Sequence, residues 1–139
     1  MNLPASALRS ALYTALSGNV GLTVYSWPPT TAGDYVLIGD IRISELTYQT
    51  KEIFECYASI EVITKQQLLN NMVGTKTTAA TAAALVDAKM RPTVTTFLAV
   101  TGYTVAGCYL DDQSEDMSVE SDTAIFRMQM NYFIRLFKT

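Results

Sequence analysis

The sequence predicts an α+β domain: a mainly antiparallel sheet of two long hairpins plus a short edge strand, with helices packed on one face. Three observations predict it. Residues 51–64 and 124–137 alternate apolar and polar side chains with period two, the mark of strands with one buried face. Residues 3–16 and 77–90 instead place apolar or small side chains at helical spacing. Finally, the strand-like segments come in consecutive pairs, which favours hairpins over parallel crossovers. At 139 residues, one domain over residues 1–139 is the expected organisation.

Taken in order, residues 3–16 carry Leu8, Ala11, Leu12, Ala15 and Leu16 on one stripe, with Pro4 and Ser6 suited to a helix start and Ser17-Gly18-Asn19 to its stop. Residues 22–27 read as a short edge strand ended by Pro28-Pro29, which cannot donate to a ladder. A loop over 28–34 follows. In residues 35–47, Tyr35, Leu37, Ile41 and Ile43 are expected on one face and Asp40, Arg42 and Ser44 on the other. Val36 and Ile38 interrupt that pattern and imply cover on both faces there. After a turn over 47–52, Phe54, Cys56, Ala58, Ile60 and Val62 oppose Glu55, Tyr57, Ser59 and Glu61.

The stretch 65–75 is polar, and the alanine-rich helix after it aligns Ala79, Ala82, Ala83, Val86 and Met90, a small-residue face suited to close packing on a sheet. Arg91-Pro92 breaks or restarts it, leaving a further helical turn or two over 92–100. Residues 103–110 look like a strand, and the acidic 111–122 like an exposed connection. In the closing strand, Phe126, Met128, Met130, Tyr132, Ile134 and Leu136 share one side, against Arg127, Gln129, Asn131 and Arg135.

Composition narrows the function. Charged residues make up 17% of the chain, below the usual figure of about 25%, which points to surface that is covered by something. A net charge of −3 argues against a protein that neutralises nucleic-acid phosphates, so no sequence-specific nucleic acid is expected. Neither the N-terminal segment nor the short alanine run is apolar enough for a signal or a membrane span, so no membrane partner is expected and the cytoplasm is the default compartment. Cys56 and Cys108 fall in expected strands and read as buried thiols, a disulfide being the minor alternative.

The chain has no histidine, which removes the Ser-His-Asp and Cys-His arrangements and the commonest metal ligand together. Gly74-Thr75-Lys76-Thr77 looks superficially like a phosphate loop but lacks the glycine directly before the lysine and the one five positions further upstream, so a plain helix start is favoured. Asp111, Asp112, Glu115 and Asp116 lack the spacing and central glycine of a calcium loop and read as a solvated turn, with docking onto a basic partner left open. No catalytic, cofactor-binding or metal-ligating residue is expected. Tyr57, Phe133 and Phe137 are aromatic candidates for an interface. With no second layer for the sheet's polar face, Asp40, Arg42, Glu55, Tyr57, Glu61, Arg127 and Arg135 are the candidate interface residues.

The order of motifs adds a resemblance. The helix Ala7-Leu8-Arg9-Ser10-Ala11-Leu12-Tyr13-Thr14-Ala15-Leu16, then Val24-Tyr25, a Pro-rich loop and Asp34-Tyr35-Val36-Leu37-Ile38-Gly39-Asp40, resembles the tail-completion (tail-terminator) proteins of tailed bacteriophages. The likeness continues through residues 54–62 and 126–134. It implies a non-enzymatic α+β subunit forming a ring, usually of six copies, which caps the tail tube at its head-proximal end and meets the head connector. It also implies residence in the virion after assembly in the host cytoplasm. The stretch 65–75 and the helix after it look longer than that family needs. A head-tail connector or neck ring protein would share the design, and a non-viral protein-binding module is the alternative from another class.

Overall fold

A computed structural model describes residues 4–29, 33–48, 51–67, 73–91, 98–120 and 122–139. Its elements are α1 (Pro4–Leu16), β1 (Thr23–Tyr25), β2 (Tyr35–Tyr48), β3 (Lys51–Gln67), α2 (Val73–Met90), β4 (Tyr103–Glu120) and β5 (Thr123–Lys138). The strands form one sheet in the order β1-β2-β3-β5-β4. β1 runs parallel to β2, and every other neighbouring pair is antiparallel. The α+β sheet of two long hairpins, with a short strand at one edge, is thus the observed architecture.

α1 packs on β1 and β2, α2 packs on β3 and β5, and the helices touch each other, so one face of the sheet carries the core. On α1, Leu8, Leu12 and Leu16 recur every fourth residue and are fully buried. Gly18 takes φ 77 just after the helix, and the Asn19 amide donates to the Ala15 carbonyl at 2.9 Å, which together close the helix end. On α2, Ala79, Ala82, Ala83, Val86 and Met90 are the buried stripe, as the spacing predicts. Because α2 starts at Val73, Gly74 to Thr77 lie within its first turns and form no phosphate loop. Against the helices stand Phe54, Cys56, Ala58, Ile60 and Val62 from β3, and the alternate residues Phe126 to Leu136 of β5, all buried. Directly opposed pairs such as Ile60 with Met130 and Cys56 with Ile134 place both side chains on this one face.

The structure corrects the expected phase of β2. Register runs Val36 to Val62 and Ile38 to Ile60, then resumes Ile41 to Ala58 and Ile43 to Cys56. One extra residue therefore sits opposite Ser59, a β-bulge at Gly39-Asp40. Val36 and Ile38 share the core face with Ile41 and Ile43, while Tyr35 and Leu37 point the other way. A side chain at Gly39 would press on the Ser59 carbonyl, its Cβ falling 3.3 Å away, so the bulge suits glycine.

A second correction concerns the acidic stretch. Residues 111–120 are not a connection but the distal half of β4, laddered to β5 from Asp112 with Asn131 to Glu120 with Thr123. Every one of these ten residues is exposed, so no burial pattern marks them as strand. They are held by the alternating apolar strand β5 on their inner edge. Of the turn expected over 47–52, only residues 49–50 lie between the strands, outside the described residues; likewise 92–97, most of the expected helical continuation, lies outside them. Leu98 and Val100 are buried in non-helical chain.

Cys56 and Cys108 are both buried and free. They lie in one row, Cys56 opposite Ile134 and Ile134 opposite Cys108. Two strand spacings, about 9–10 Å, separate them, beyond the roughly 7 Å limit for a disulfide. Burial pushes their thiols up, to about 11 for Cys56 and about 12 for Cys108.

Candidate assembly interface

The face of the sheet opposite the helices has no second layer among the described residues. Pleating places alternate residues there, and register aligns them in rows across four strands. One row runs Arg42, Tyr57, Phe133, Tyr109. The Arg42 guanidinium stands 5.3 Å from the Tyr57 ring centre, Tyr57 meets Phe133 edge-to-face at 5.2 Å, and Tyr109 continues the line at 6.4 Å. The next row carries Ser44, Glu55 and Arg135, with Arg135 bonded to Glu55 at 3.2 Å and lying 5.8 Å from the Phe133 ring.

Past the bulge the face buries Leu37 and Ile63, so this end is covered on both sides as expected, and polar side chains surround them. Gln129 donates to the Ser59 hydroxyl at 3.0 Å and to the Asn131 side-chain oxygen at 3.3 Å, and Asn131 donates to Asp112. Arg127 reaches Glu61 at 4.0 Å. Tyr35 follows, its hydroxyl pKa raised by burial, with Arg127 partly opposing that shift. The ion pairs are half-exposed and each contributes at most about 1 kcal/mol. Charge and aromatic ring alternate along this surface.

All seven candidate residues therefore stand on this one surface: Asp40 at the bulge, Arg42 and Tyr57 in the aromatic row, Glu55 and Arg135 as a pair, Glu61 and Arg127 as another. Phe133 lies in the aromatic row, while Phe137 lies one row beyond Glu55 and Arg135. Three contributors escaped the sequence reading. Tyr109 joins because β4 pairs on the far side of β5, and Asp112 because that strand runs on past residue 110. Arg9, the one charge on α1, reaches the edge of β2 and donates to the carbonyls of Ser26 at 3.3 Å, Ile38 at 3.0 Å and Gly39 at 2.8 Å. A lone arginine in an otherwise uncharged helix was the available signal. Beside it, a groove of about 370 Å³ opens between Trp27 and the bulge, with Leu37, Asp40 and Glu61 in its wall.

No group of metal-binding side chains occurs among the described residues, and no helix there is long and apolar enough to cross a membrane. No protein-family model matches the chain, and no curated protein matches it. Among solved structures, it is similar to a chain in the virion of a native gene transfer agent (GTA) particle, with a TM-score of 0.76, 23% identity and 99% of each chain covered. At that identity the likeness establishes a shared fold across the whole chain.

Proposed function

We propose that the protein is a structural, non-enzymatic virion assembly protein whose copies form a ring, six being the number the sequence resemblance implies. The ring caps the tail tube at its head-proximal end and joins it to the head connector. The observation that carries this reading is the end-to-end fold likeness to a chain of a virion particle. It agrees with the phage-tail resemblance in the sequence, and the open face supports it. A row of aromatic and charged side chains without a second layer suits a partner surface, and charged rims there set register and partner choice more than raw affinity.

Electron microscopy of particles assembled without the protein tests the role. Overlong or headless tails are expected. Tails of normal length that detach from heads would assign the chain to the neck instead, and particles indistinguishable from normal would refute an assembly role. Arg42→Glu and Arg127→Glu, both at exposed positions, should leave the subunit folded and produce the same tail defects. Uniform normal tails with both variants would remove these two arginines from the contact.

A further inference from the structure

Resting on the ring reading, we infer that copies join head to tail through the two ends of the sheet: the acidic β4 edge of one copy takes the Tyr13-Arg9-Trp27 corner of the next. Tyr13 and Trp27, 44% and 79% exposed, lie at the β1 end, where Tyr13 and Ser26 share a surface hollow with Arg9. Tyr109, Met117 and Val119 lie on β4, Tyr109 on the open face and Met117 and Val119 further along on the helix side. β1 and β4 close opposite ends of the strand order, so each copy carries exposed apolar side chains at both edges of the sheet.

Charge divides in the same way. Residues 4–29 carry one charge, that of Arg9, and its bonds to three carbonyls leave it positive. β4 carries Asp111, Asp112, Glu115, Asp116 and Glu120 and no cation. Toward the open face Arg9 and Trp27 share their groove with Asp40 and Glu61, whereas the hollow on the α1 side holds Arg9 with Tyr13 and Ser26 and no carboxylate, so the α1 side of the corner is the side that fits an acidic partner. Carboxylates on an edge strand can simply deter pairing with other chains. An edge that only deters would not also hold Met117 and Val119, half or more exposed, on the helix side. There they stand opposite Phe126 and Ala124, next to the gap that α2 leaves beside Ala84, Leu85 and Glu115. Two β4 edges would set acid against acid, which disfavours a symmetric pair. Acid edge to cationic corner is a heterologous contact, and such contacts close into rings when the rotation permits.

Sedimentation of the full chain at millimolar concentration, at low and high salt, tests this. The wild type should form species larger than a dimer, weakened by salt. Trp27→Glu and Met117→Glu should each weaken association by at least about tenfold, the loss typical of an interface hot spot. Their circular dichroism and thermal midpoint should match the wild type, with Trp27→Ala replacing the first variant if charge disturbs the fold. Mixed one to one, the two variants should form a dimer and nothing larger, because only one sound contact remains per pair. A wild type that stays monomeric, variants that associate like the wild type, or a mixture that stays monomeric overturns the proposal. Normal rings on tail tubes despite both substitutions would remove this contact while leaving the ring reading intact. Absence of wild-type protein from the tube end would remove the ring reading itself.

Discussion

Met130→Asp against Gln129→Asp measures how sharply the two faces of the sheet differ. Met130 is 2% exposed, between Ile60 and Gln113 in register, in the middle of the core face. Losing its burial costs about 2 kcal/mol. The new carboxyl starts near pKa ~3.9 in the unfolded chain and, fully buried, is raised by about 3–5 units. A raised folded-state pKa means that the penalty is absent below the unfolded value and grows with pH up to the folded one. At pH 7 the gap of about 3 units adds roughly 4 kcal/mol, and at pH 5 the gap of about 1 unit adds roughly 1.5 kcal/mol. Met130→Asp should therefore lose about 6 kcal/mol at pH 7, a large share of the roughly 5–15 kcal/mol of a typical domain, and regain about 2.5 kcal/mol at pH 5. Gln129→Asp, one position along on the half-exposed face, forfeits the bond to Ser59 and should cost about 1 kcal/mol at either pH. Urea unfolding followed by circular dichroism at both pH values gives the four numbers. Equal losses in the two variants, or a Met130→Asp loss that does not shrink on acidification, would refute the face assignment.

Tyr132→Phe removes a fully buried hydroxyl that donates to Asp87 at 2.9 Å, and should cost about 1 kcal/mol, since Arg91 continues to hold that carboxylate. Arg91 holds the Asp87 carboxyl below its ordinary range, so its contribution is present above the unfolded pKa and lost as pH falls through the folded value. Tyr132→Phe should consequently flatten the fall in stability between about pH 5 and about pH 3, and an unchanged slope in acid denaturation would contradict it. Thiol titration should find Cys56 and Cys108 unreactive in the native protein and both reactive in denaturant, and a mild oxidant should form no intramolecular disulfide. A native thiol that reacts as fast as a free one would show that the core face is open.

What the sequence determined by itself was local. Period-two alternation in β3 and β5 and the helical stripes of α1 and α2 name the buried side chains directly, because a segment with one dry face must repeat its apolar residues at its own geometric period. The candidate surface residues followed as the complement of that pattern. Tertiary structure decided what local period does not encode. The Gly39-Asp40 bulge shifts the phase of β2 and turns Val36 and Ile38, not Tyr35 and Leu37, toward the helices. The distal half of β4 is exposed on both faces, so it has no apolar period to read, and its strand conformation comes from pairing with β5. Strand order does the rest. With β5 between β3 and β4, Arg42, Tyr57, Phe133 and Tyr109 fall in one row, and the single charge of α1 and the carboxylates of β4 stand at opposite ends of the sheet. These juxtapositions depend on which strands pair, a choice made by the burial of the whole sheet and not by any one segment.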